Sequence, residues 1–260
     1  MQEEFSRFAR LVGKEAVRKL GGYRVAVFGV GGVGGSAAEA LARSGIGAID
    51  LIDNDRVSLS NLNRQMVALC STLGKYKADV AAERILDINP GCSVTVHRLF
   101  YLPETADEID LAQFDYIVDA IDTVAGKIEV IVNADRCGVP VVSAMGCGNR
   151  LDPSLLRLDD IYSTAGDPLA RVMRRELKKR GVKRLKVVYS VEKAIRPLDE
   201  AGESAQEEED AGASPRGAKG TAASRRSVPG SSAFVPPAAG CLLASAVVRD
   251  LLGIEAERAL

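Results

Sequence analysis

A cluster of glycines constrains this chain more than any other feature. Residues 28–55 read FGVGGVGGSAAEALARSGIGAIDLIDND. The run at 23–28 has the composition of a short buried strand, and 36–44 that of a helix whose Ala37, Ala38, Leu41 and Ala42 suit close packing on a sheet. Between them Gly29, Gly31, Gly32 and Gly34 make a turn free of side chains, where unpaired N–H groups and the helix dipole favour a phosphate. A strand at 48–52 then ends at Asp53, placed to accept hydrogen bonds from ribose hydroxyls. This implies a bound nucleotide without separating a dinucleotide from a triphosphate.

The alternation continues with a helix at 75–89, strands at 93–97, 115–120 and 139–144, and a helix at 125–136. Strand and helix repeating in this order imply an α/β fold: a Rossmann-like, doubly wound, mostly parallel sheet covered on both faces. An additional C-terminal part follows. It opens with a basic helix at 169–181 and a strand at 185–190, and from Arg171 to Lys186 nine basic residues face Glu176 alone. Arg171, Arg174, Arg175, Lys178, Lys179 and Lys183 are therefore candidate RNA contacts, the alternative being a solvated amphipathic helix. In 199–233 Val228 is the single large apolar residue, so a long mobile loop is expected there. The loop has segregated charge, seven acids at 199–210 and then Arg216, Lys219, Arg225 and Arg226. A small-residue helix at 241–252 should return to the core.

Hydrophobic residues are 47% of the 260, sufficient for an ordinary core, and a net charge of −1 implies no partner by itself. Five cysteines without a C-x-x-C pair, and one histidine, argue against zinc and against a disulfide framework. The apolar run at 240–252 is interrupted by Arg249 and Asp250 and is too short to span a bilayer, and the N-terminus lacks a signal-peptide pattern; a cytoplasmic protein without a membrane span is expected.

Three further stretches bear on the nucleotide. DNDRVSLSNLNRQ, at 53–65, supplies Asn61 and Arg64; Lys77 opens the helix after GKY; and VDAID, at 118–122, sets Asp122 just past a strand end. An enzyme that cleaves ATP needs cations for three phosphates and an acid for Mg²⁺, whereas a dehydrogenase needs neither. Parallel strands bind ligands at their carboxyl ends, so Asp53 and Asp122 can share one crevice.

As a set, G-x-G-G-x-G, D-x-D, S-N-L-N-R-Q, the lysine and D-A-I-D resemble the ATP-dependent adenylating family of ubiquitin-activating enzymes and the bacterial ThiF, MoeB and HesA proteins. Within it, RFARLVGKEAVRKL, AERILDINP and LDPSLLRLDDI are most similar to the tRNA threonylcarbamoyladenosine dehydratases, over residues 7–196 and again near Phe234. The resemblance implies an adenylating domain at 1–198, interrupted by the loop at 199–233 and completed by a helix within 234–260. It implies an ATP site of the four turn glycines, Asp53, Asp55, Ser60, Asn61, Asn63, Arg64, Lys77, Asp122 and Thr123. Asp122 would hold Mg²⁺, Arg64 and Lys77 would meet phosphates, and Asp55 would support Asn61. Arg10 would reach the triphosphate of a neighbouring subunit, which implies a homodimer.

The implied reaction adenylates the threonylcarbamoyl carboxylate in a tRNA anticodon loop and closes a ring, expelling AMP with net loss of water. A monovalent cation near the phosphates and a docking sulfur-transfer protein stay open. So do three other readings: activation of a ubiquitin-like or sulfur-carrier C-terminus, a nicotinamide-dependent oxidoreductase, and an RNA scaffold. No enzyme thiol is needed for ring closure, and Cys147 and Cys241, set among small residues, read as packing sites.

Overall fold

A computed structural model describes residues 3–198 and 229–254. Seven strands form one sheet in the order β3-β2-β1-β4-β5-β7-β6: β1 Arg24–Phe28, β2 Ala48–Ile52, β3 Ser93–His97, β4 Tyr116–Asp119, β5 Val141–Ala144, β6 Leu156–Asp160 and β7 Lys186–Ser190. All neighbours are parallel except β6 and β7. The order reverses between β1 and β4, and such a switch point opens a crevice outside the carboxyl ends of the strands. The Rossmann-like, doubly wound fold is thereby observed.

Both faces are covered. Helices α3 (Gly32–Arg43), α4 (Lys77–Ile88) and α7 (Val235–Leu252) bury Leu41, Ile85 and Leu243 in one cluster with Val25 and Val27. On the other face α5 (Val124–Cys137) and α6 (Pro168–Lys179) bury Ile131 and Met173 with Ala26 and Phe28. Alternate β1 residues thus serve opposite faces, as strand geometry requires. Two short N-terminal helices, α1 (Ser6–Val12) and α2 (Lys14–Leu20), add a small cluster of Phe5, Ala9 and Val17.

Three differences from expectation matter. First, α3 begins at Gly32, so Gly32 and Gly34 lie inside the helix instead of ahead of it. A Cβ on Gly34 would stand 1.7 Å from the Gly29 carbonyl oxygen, which is why the helix can start so tightly against the strand. Second, β6 was not anticipated: Leu156 alternates with solvent-facing residues on an edge strand that carries two aspartates, which dilute the apolar signal. Third, α7 starts at Val235 and not Cys241, because prolines at its first turn lose no hydrogen bond there. At this length α7 is long and apolar enough to cross a membrane by composition, yet half of it is buried inside the fold, and Gly240 lets it approach α3 so closely that a Cβ would meet the Val33 carbonyl at 2.3 Å. It is held at its far end by Asp250, which accepts from Tyr116 Oη (2.6 Å) and Lys186 Nζ (2.6 Å). Of the segment expected as a loop, 199–228 lies outside the described residues. Residues 229–232 are described, and they pack against the crevice.

Candidate active site

The crevice is a cavity of about 440 Å³ bounded by the strand ends at Phe28, Ile52 and Ala120. Gly29, Gly31 and Gly32 form its floor. Gly29 has φ of 85° and a Cβ there would meet the Ala120 carbonyl at 2.6 Å, so the turn needs glycine twice over. Gly34 is buried behind the turn and shapes it without lining the cavity.

Polar groups converge from separate loops. Asp53 accepts from Val30 N (2.6 Å) through Oδ2 and from Asp55 N (2.7 Å) through Oδ1, leaving lone pairs toward the cavity. Burial pushes this carboxyl upward in pKa, against those two hydrogen bonds and the nearby Lys77, which pull it down. Lys77, at the first position of α4, is buried and its Nζ donates to Asp55 Oδ2 at 2.7 Å. Asp55 therefore supports Lys77, not Asn61 as the resemblance implied. Asn61 Oδ1 instead accepts from Ser58 N (3.1 Å), closing a capping box. Arg64 Nη1 donates to Ser60 O (3.0 Å) and Asn63 Oδ1 (2.9 Å), which fixes one edge of the guanidinium and leaves Nη2 and Nε for a ligand.

Asp122 and Thr123 line the wall between β4 and α5. Of the expected residues, Asp53, Asp55, Arg64, Lys77, Asp122 and Thr123 share the cavity with the floor glycines, whereas Ser60, Asn61 and Asn63 stand behind it as supports. Arg10 is exposed on α1 and does not line it.

Sequence reasoning missed several contributors. Gln65 lines the cavity, and its buried Oε1 has no hydrogen-bond partner among the described residues. Leu99, Phe100 and Tyr101 make an apolar wall suited to a base; their distance along the chain from any motif concealed them. Pro229, Gly230 and Ser231 close the opposite side. This strap is fastened by Asn149, whose N donates to Gly230 O (2.8 Å) and whose Oδ1 accepts from Gly230 N (2.6 Å), and by Asn63 Nδ2 donating to Ser231 O (3.0 Å). Asn149 is the one non-glycine residue with positive φ, 59°, among the described residues.

Among the described residues no three His, Cys, Asp or Glu side chains cluster to hold a metal ion. Asp122 is the exposed carboxylate beside the glycine turn. Cys147 also touches the cavity, but burial pushes its thiol up to about 11, and its Sγ donates to Met145 O at 3.6 Å. Arg150, a candidate to activate it, is engaged by Gly146 O and the buried Asp167.

The basic helix lies elsewhere. Asp167 caps α6 and accepts from Gly146 N at the carboxyl end of β5, so α6 runs from the cavity side toward the amino ends of the strands, where β7 begins. A rise of about 1.5 Å per residue places Lys178 and Lys179 about 15–17 Å from that start. Arg174 turns inward onto the Thr164 hydroxyl and carbonyl, so its expected role as an RNA contact is corrected: its Nη1 serves the fold. Lys179, Arg180 and Arg175 surround Glu176 and hold its carboxyl down at about 2. The side chains of Arg171, Lys178 and Lys183 have no ion-pair or hydrogen-bond partner among the described residues.

The fold and the site define a Rossmann-like nucleotide-binding protein whose cavity adds two cations and a carboxylate to the phosphate turn. The chain belongs to the ThiF family, whose model matches residues 5–259. It is 41% identical over 253 residues to the tRNA threonylcarbamoyladenosine dehydratase of Bacillus subtilis (strain 168), covering 97% of this chain and 96% of that protein. Among solved structures it is similar to the E. coli tRNA N6-threonylcarbamoyladenosine dehydratase TcdA in complex with ATP, at a TM-score of 0.81 and 32% identity over 98% of this chain and 96% of the other. The same protein in complex with AMP matches at a TM-score of 0.81 and 33% identity, over 96% and 94%.

Proposed function

We propose that this protein is an ATP-dependent tRNA threonylcarbamoyladenosine dehydratase. The observation that carries the reading is the convergence of Arg64, Lys77 and Asp122, from three separate loops, on one glycine-floored cavity. Nearly full-length similarity to the dehydratases supports the substrate.

A carboxylate is a poor electrophile because its charge is delocalised, and adenylation removes that charge. The threonylcarbamoyl carboxylate attacks the α-phosphorus of ATP and pyrophosphate departs. Arg64, through its free edge, and Lys77 neutralise the charge that grows on the leaving group, while the glycine N–H groups hold the phosphates. Asp53 accepts from the ribose, and the apolar wall at Leu99 to Tyr101 covers the base. Mg²⁺, held by Asp122, would supply further charge neutralisation on the phosphates. An internal nucleophile of the same modified nucleoside then expels AMP and closes a ring; the products are AMP, pyrophosphate and a nucleoside one water lighter. The high pKa of Cys147 supports a closure without a thioester.

The proposal includes a cytoplasmic homodimer in which Arg10 of each subunit reaches the other's triphosphate; Leu11 beside it is 83% exposed, an apolar side chain offered to a partner. It also treats 1–198 and 234–260 as one adenylating unit interrupted by 199–233. The anticodon loop would enter the cavity while its stem meets Lys178 on α6 and Lys183 just beyond it. The test is mass spectrometry of tRNA nucleosides after incubation with Mg-ATP. Threonylcarbamoyladenosine should lose one water, and Arg64→Ala or Asp122→Ala should abolish AMP formation. If a carrier protein ending in Gly-Gly, and not tRNA, stimulates pyrophosphate exchange, the dehydratase reading is replaced by carrier activation.

A further inference from the structure

Beneath the cavity floor lie three buried polar side chains that the reaction above leaves unused. Lys127 on α5 and Asp119 at the end of β4 are both fully buried, with Nζ 3.0 Å from Asp119 Oδ2. Ser143 Oγ on β5 donates to the same oxygen at 2.5 Å. The other carboxylate oxygen, Oδ1, accepts from Ile121 N at 3.2 Å, and Lys127 Nζ also donates to Ile121 O at 3.1 Å. One ion pair therefore grips Ile121 by both its amide N–H and its carbonyl. The residue before it is tied to the sheet through Ala120 N and Phe28 O at 2.8 Å. The residue after it is Asp122.

The placement follows from helix geometry. Side chains on a helix lean toward its N-terminus, so a lysine one turn inside α5 reaches back to the carbonyl just ahead of that helix. Gly126 permits the tight entry, because a Cβ there would meet the Tyr101 carbonyl at 2.6 Å. An ion pair so deeply buried contributes little net stability compared with apolar side chains of similar volume. Its distinctive property is direction: it gives the strand-to-helix turn one arrangement at the point where the fold meets the triphosphate.

We propose that Lys127 and Asp119 are positioning residues that hold the Ile121 peptide, and so aim the Asp122 carboxylate at the nucleotide's phosphates and metal. The inference rests on the adenylation reading above. Neither residue touches substrate; both act through the turn.

The experiment replaces the pair by apolar residues, Lys127→Met with Asp119→Leu, which removes both charges and strands neither. Calorimetry gives the Kd of a non-hydrolysable ATP analogue with and without Mg²⁺, and tRNA-driven AMP formation is followed across a magnesium titration. Outer support of a metal carboxylate is worth about 10–100-fold in affinity or activity. The double variant should stay folded and bind the analogue as the native protein does without metal. Its Mg²⁺-dependent tightening should be lost, and its half-saturating Mg²⁺ should rise about ten-fold or more. A second variant, Lys127→Arg, keeps the charge opposite Asp119 but exchanges a compact donor for a longer planar fork, and it should shift the same two readouts in the same direction. Native metal dependence in either folded variant overturns the inference. Failure of both to fold overturns it as well, since the pair would then serve stability alone. Asp122→Asn separates the two levels: if it leaves AMP formation intact, the adenylation site itself is wrong. If it is inactive while the double variant is normal, only the positioning role is lost.

Discussion

Replacing Lys77 by Met separates what that residue does for the fold from what it does for the reaction. The Lys77 side chain is only 7% exposed, whereas the Asp55 side chain it contacts is 66% exposed. Removing the ammonium thus leaves behind a hydrated carboxylate, not a stranded buried charge, and methionine keeps the apolar stem in place. A pair with one solvated partner is worth about 0–1 kcal/mol. For a domain of this size that corresponds to a drop in Tm of at most about 4 °C. Activity should respond on another scale. A preorganised donor aimed at developing charge contributes about 2.7–4 kcal/mol, or 10²–10³ in kcat. Steady-state AMP release with modified tRNA and a thermal melt of the same sample read the two quantities together. The reasoning is refuted if Lys77→Met keeps turnover within about threefold of native, a change below 1 kcal/mol. A fall in Tm of 10 °C or more, far above that about 4 °C limit, would assign the residue to structure instead.

Gly34→Ala should prevent a stable fold, because its Cβ would lie 1.7 Å from a backbone oxygen that cannot move without opening the turn; the soluble yield and a chemical denaturation curve check this. Cys147→Ala should retain dehydratase activity. Burial favours the neutral thiol and raises the pKa to about 11, so the thiolate is scarce at pH 8 and accumulates only as pH climbs toward that value; alkylation followed by mass spectrometry should label exposed Cys70 and Cys241 long before Cys147. For RNA, combining Lys178→Ala and Lys183→Ala should lower the slope of log affinity against log salt by about two, one per phosphate contact, and an unchanged slope would remove these two lysines from the RNA interface.

The strands and helices around the glycine turn were legible because a buried parallel strand followed by an amphipathic helix leaves a periodic apolar pattern. The strap at 229–232 was not, since Pro229, Gly230 and Ser231 carry no apolar period and are held by backbone and amide bonds to Asn149 and Asn63, residues far away in the chain. Arg174 shows the same limit from the other side. In the sequence it is one more cation in a basic run, and only the packing of α6 against the Thr164 turn reveals that it is already engaged.

By itself, the sequence determined the alternation of strands and helices around the glycine turn and the polar residues Asp53, Arg64, Lys77 and Asp122 at the cavity, because glycine tolerance, apolar periodicity and carboxylates at strand ends are local properties written within a few residues. Tertiary structure alone decided which of those groups cooperate. It paired Asp55 with Lys77, set Asn61 and Asn63 behind Arg64, turned the basic end of α6 away from the crevice, and buried Lys127 against Asp119 beneath Asp122. Those outcomes depend on contacts between segments distant in the chain, where burial and competing hydrogen-bond partners, not composition, settle what a side chain touches.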